Sequence, residues 1–110
     1  MLKWVVVKRK EKDPKTNKEF WYYLLKYANI DYHKMLVGSC DECLGGGLFS
    51  FDYDNETMTI WGKSDDFGAV DFSSIKDRIH IDEEMQGWKI ILRNGEKDID
   101  ITERFEFDYW

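Results

Sequence analysis

The sequence predicts a mainly β domain of the α+β class: an antiparallel, twisted sheet or small barrel-like roll of about six to seven strands, with one short helix against it. Three observations predict it. Short runs rich in Val, Ile, Phe, Tyr and Trp recur along the chain. Turn signals separate them, the clearest being Asp13-Pro14 and Asn94-Gly95. Only one convincing segment spaces its apolar residues three to four apart, as a helix does.

Leu2 to Arg9 and Phe20 to Tyr27 form the first hairpin, in which Asp13-Pro14 opens the turn and Asn17 can take a positive φ. Trp4 and Val6 fall on one face and Val5 and Val7 on the other, so at least one of these strands is interior. A helix over residues 19–37 competes, because Phe20, Tyr23, Leu24 and Tyr27 would share a face; the run of aromatics favours strand. Leu48 to Asp54 and Thr57 to Trp61 read as a second hairpin, with Phe49, Phe51 and Tyr53 at period two. The short helix follows, capped by Asp71 and carrying Phe72, Ile75 and Ile79. Asn94-Gly95 reads as a type I′ hairpin that opposes Arg93 to Glu96 and Lys89 to Asp100. Its other face collects Trp88, Ile90, Leu92, Ile99 and Ile101. The alternation runs on through Phe105, Phe107 and Tyr109, giving a long final strand bent at Thr102 to Arg104.

One domain spanning residues 1–110 is the expectation, since no repeat, linker or low-complexity tract divides the chain. Seven Phe, six Tyr and five Trp supply a core that a disordered chain would lack. The longest apolar run, Phe20 to Leu25, is far short of the ~20 residues that span a bilayer. Two cysteines make no disulfide framework, and a cytoplasmic setting is the expectation.

The net charge of −6 hides an asymmetry. Residues 1–30 carry eight Lys/Arg against three acids, and residues 31–110 carry eight against nineteen. A balance of +5 therefore sits beside one of −11. An acidic chain with few arginines argues against direct nucleic-acid binding and toward a partner with a basic surface.

Four features could carry chemistry. Cys40-Asp-Glu-Cys43 can chelate a metal, and a Cys₂His₂ zinc site would need His33 and His80 as well. That order matches no standard finger spacing, and the acids between the thiols oppose thiolate formation. Gly45-Gly46-Gly47 lacks the Lys-Ser/Thr of a phosphate loop and reads as a flexible connection. Asp52 to Glu56 opens like a calcium loop, but Thr57 and Lys63 stand where Gly and Glu are required. Neither histidine sits in a nucleophile signature, so a non-catalytic protein is expected.

The leading functional expectation is an acidic interaction protein that binds and inhibits a basic site on another protein. Immunity proteins and phage-encoded inhibitors, some of which mimic DNA, are of this kind. Asp52 and Asp54, Asp98 and Asp100, and Glu106 and Asp108 would project from strands about 6.5–7 Å apart, near the spacing of DNA phosphates. The alternative is a domain that binds or sequesters a small ligand or nucleotide between aromatic walls, with Trp21, Trp61 and Trp110 as candidates. A small zinc-stabilised module built on Cys40 and Cys43 is the third reading; otherwise no cofactor is expected. Under either of the first two, the apolar final strand offers an edge for a second copy.

Overall fold

A computed structural model describes residues 1–39 and 41–108. Eight strands form one sheet: β1 (Leu2–Lys12), β2 (Glu19–Asn29), β3 (Asp41–Asp52), β4 (Thr57–Trp61), β5 (Ile79–Asp82), β6 (Lys89–Asn94), β7 (Lys97–Asp100) and β8 (Phe105–Asp108). Their order is β7-β6-β4-β3-β1-β2-β5-β8, and the sheet curls into a half-barrel. The mainly β class holds. The all-antiparallel expectation does not, because β2–β5, β4–β6 and β5–β8 pair in parallel.

The first hairpin forms as its sequence demands. β1 and β2 pair over eleven residues each, and Asn17 takes φ 58° in the turn. Trp4, Val5, Val6 and Val7 are all buried, since β1 lies in mid-sheet with both faces covered. Trp4 and Val6 join the larger apolar cluster with Leu25, Phe49, Ile60, Ile79 and Ile90. Val5, Val7 and Leu24 form a smaller one under Leu36 and Val37. Residues 19–29 are strand, so the helical alternative survives only as a 3-10 turn at His33–Leu36.

Gly45-Gly46-Gly47 is no flexible connection: it lies buried inside β3. A Cβ on Gly46 would overlap the Trp4 carbonyl oxygen, and one on Gly47 the Trp61 carbonyl oxygen. Glycine here lets three backbones and the Trp4 indole pack closely.

The predicted helix after Asp71 is one 3-10 turn, Phe72–Ser74. Asp71 does cap it, its carboxylate accepting from the Ser73 N–H at 3.1 Å. The chain is already extended at Ile75, so Phe72 and Ile75 are buried from an irregular segment. A single turn costs nucleation without propagation to offset it.

The β6–β7 turn centres on Gly95-Glu96, with Asn94 facing Lys97. Gly95 alone has a positive φ of 64°, which matches a type II′ turn, and Arg93 consequently faces Asp98 rather than Glu96. The last strand is also divided. After the 3-10 turn Thr102–Arg104, β8 crosses to the far edge and pairs with β5. Among the described residues no helix is long and apolar enough to cross a membrane.

Candidate functional site

An open cleft of about 1000 Å³ lies between the β4–β5 connection and the β6–β7 hairpin. Local bonds build its first wall. Ser64 and Gly68 exchange backbone hydrogen bonds at 3.1 and 2.8 Å, and Ser64 Oγ accepts from the N–H groups of Asp66 and Phe67. The Gly68 carbonyl also accepts from Gly46 N at 3.0 Å, which pins this loop to β3. Phe72 then anchors the next turn, its ring 5.8 Å from Trp4 and 6.4 Å from Phe105. Leu92 and Ile99, cross-strand partners in the hairpin, form the opposite wall with Ile101. Arg104 ties the two sides by donating to the Ile75 carbonyl.

The cleft combines an aliphatic wall with a cationic excess among its charged lining residues. Lys63, Lys76, Arg78, Arg93 and Arg104 line it, against Asp71, Asp77, Asp100 and Glu103. That net positive count stands out in a segment whose balance is −11. Two of the acids are engaged locally. Asp71 accepts from Ser73, and Asp100 from Thr102 N–H at 2.9 Å and its hydroxyl at 2.5 Å. These bonds hold both carboxyls below the usual carboxylate range. Arg93 is paired with Asp98 at 3.0 Å, whereas Lys63, Lys76 and Arg78 make no salt bridge among the described residues.

The residues singled out from sequence fall elsewhere. Asp98 and Asp100 lie on β7 at one edge of the sheet, Glu106 and Asp108 on β8 at the other, and Asp52 and Asp54 at the β3–β4 turn. No single strand face gathers them. Asp52 accepts from the Asn55 side chain at 2.7 Å, which with the backbone bond there lowers its pKa. Trp21 is exposed on β2 beneath Lys8 and Lys10, whose ammonium groups lie 5.0 and 5.7 Å from its ring. Trp61 ends β4 just before the cleft without lining it; among the described residues Phe72 is the one aromatic that does. Trp110 and Cys40 lie outside the described residues, as does Tyr109.

Among the described residues, the proposed zinc ligands His33, Cys43 and His80 do not converge. His33 is buried and its Nε2–H donates to the Gly47 carbonyl at 2.8 Å. Burial pushes the Cys43 thiol up, and its S–H donates to Gly45 O at 3.6 Å. His80 is on β5, three strands from Cys43 on β3, or about 14 Å at ordinary strand spacing. Instead His80 meets Glu106 and Asp108, the one group of three such ligands among the described residues.

Sequence reasoning missed the cleft cations because they come from three separated segments. The signal present was that three of the four arginines, Arg78, Arg93 and Arg104, fall in the acidic part of the chain. Fold and cleft together define a small curled-sheet domain with an open, cation-lined cleft. The chain belongs to the Janus/Ocnus family, whose Ocnus sequence model matches residues 2–89. No curated protein and no solved structure matches it. The match takes in β1 to β5 and the connection carrying Lys63, Lys76 and Arg78, and stops at the first residue of β6.

Proposed function

We propose that this domain binds a small anionic organic ligand, with an apolar body and a phosphate, sulfonate or carboxylate group, in the cleft. The observation that carries the reading is the set of three cations that are unpaired among the described residues, Lys63, Lys76 and Arg78, facing a wall of Leu92, Ile99 and Ile101. Apolar contact would hold the body, and the cations would select the charge. This keeps the ligand-binding reading but replaces aromatic walls with aliphatic ones. The anionic dye 8-anilinonaphthalene-1-sulfonate is a suitable probe. Its fluorescence should rise on binding, and Lys76→Gln with Arg78→Gln should weaken binding about ten-fold without shifting the thermal midpoint. Dye binding unchanged in that variant would reject the reading.

An acidic docking role is the second reading, favoured at one place. Asp82, Glu83 and Glu84 are exposed in succession at the end of β5, beside Glu106 and Asp108 of the edge strand. A basic protein segment would complement that edge. Replacing Asp82, Glu83 and Glu84 with amides should abolish binding of a polylysine probe at low salt; undiminished binding would remove the idea.

A further inference from the structure

We infer that His80, Glu106 and Asp108 form a site for a divalent transition-metal cation, independent of the cleft. β5 and β8 run parallel with His80 opposite Glu106 and Asp82 opposite Asp108. Side chains two apart share a face, so the register places the imidazole and both carboxylates on one side of adjacent strands. Each residue offers one ligand atom, and all three atoms lie within 4.8 Å of one another. The imidazole is aimed between the two acids. Nδ1 is hydrogen-bonded to Asp108, and Nε2 is 4.0 Å from Glu106. The Tyr22 ring meets His80 edge-on at 5.5 Å and limits its rotation.

Charge makes this more than a satisfied histidine. No Lys or Arg pairs with Glu106 or Asp108 among the described residues, so one imidazole faces two carboxylates. Even a protonated ring neutralises only one of them. A divalent cation neutralises both, and mixed imidazole and carboxylate ligands suit Zn²⁺ and its neighbours. Ligand atoms around such an ion sit roughly 3–3.5 Å apart, given bonds of about 2.0–2.2 Å. To reach that spacing the His80–Asp108 hydrogen bond would open around the ion and the Glu106 carboxylate would move inward. His80 and Asp108 are each about a quarter exposed and Glu106 about half, leaving room for water in the remaining positions.

The test is Zn²⁺ titration of the full chain by calorimetry, with thermal melts alongside. One Zn²⁺ per chain should bind with a micromolar dissociation constant and raise the thermal midpoint. His80→Gln, Glu106→Gln and Asp108→Asn should each weaken binding at least ten-fold. Cys40→Ser with Cys43→Ser should leave it unchanged, and the Co²⁺-loaded protein should lack thiolate charge-transfer bands. Should His80→Gln fail to fold, Glu106→Gln decides, since Glu106 is exposed on an edge strand. Absent saturable uptake below about 1 mM, uptake that survives the decisive variant, or uptake lost with the thiols would each overturn the site.

Discussion

The molecule makes one cross-strand pair twice, and the two copies differ in almost everything but chemistry. Arg9 of β1 faces Asp41 of β3 in mid-sheet, and Arg93 of β6 faces Asp98 of β7 at the edge. The first pair is a close fork at 2.7 and 3.0 Å, with the Asp41 side chain 1% exposed. The second is looser at 3.0 and 3.5 Å, with both side chains half exposed. Asp41 also accepts from Gly38 N–H at 2.8 Å and lies 3.9 Å from Lys26. Asp98 has no such support in the hydrogen bonds and ion pairs of the described residues. The centre of the sheet is thus over-determined by backbone, packing and charge together, whereas the edge beside the cleft is held by its turn. Local adjustment at that cleft wall does not disturb the core, which is what the proposed ligand site would need.

The sharpest way to break the comparison is at the centre. Gly47→Ala places a methyl group into the Trp61 carbonyl and 2.9 Å from Trp4 Nε1, whose N–H is committed to Leu48 O at 2.9 Å. Neither neighbour can yield, because both are strand backbone or buried core. The loss of unfolding free energy in urea should exceed about 4 kcal/mol. Gly87→Ala is the control: beyond its own chain neighbours nothing described lies within 4 Å of the added Cβ, and only its φ of 85° is strained. It should cost about 1 kcal/mol. Equal losses would mean that β3 does not pack as described.

Legibility followed the same division. β1 was readable because four consecutive buried apolar residues admit no other place than mid-sheet, and Asn17 marked its turn. The triglycine was misread because flexibility and close approach have the same composition; only its neighbours Trp4 and Trp61 decide between them. The destination of β8 was not readable at all. Its alternation agrees with continuing β7, but parallel pairing with β5 depends on contacts distant in sequence. His80 was legible only as a histidine between Ile79 and Ile81; the neighbours it meets, Glu106 and Asp108, were not, for the same reason. Spacing along the chain cannot show that Glu106 lies opposite it. The cleft was hidden likewise, since Lys63, Lys76 and Arg78 carry no local pattern.

The two Arg–Asp pairs give the smaller effects, measured as one paired experiment. The fork from Arg9 holds the Asp41 carboxyl below its ordinary value, despite burial that opposes this. A lowered carboxylate pKa stabilises the fold above the unfolded value of about 3.9 and ceases to do so as pH falls through the folded value. Asp41→Asn should therefore cost about 2 kcal/mol at pH 7, and the gap from the parent protein should close as the pH is taken to 3 and below. A gap that stayed constant across that range would show that shape, not charge, is what Asp41 supplies. Asp98→Asn should produce no resolvable change at either pH, because an exposed pair in water gains little. If it instead matched Asp41→Asn, the β6–β7 edge would be as tightly held as the centre, and the cleft wall could not be the adjustable side of the molecule.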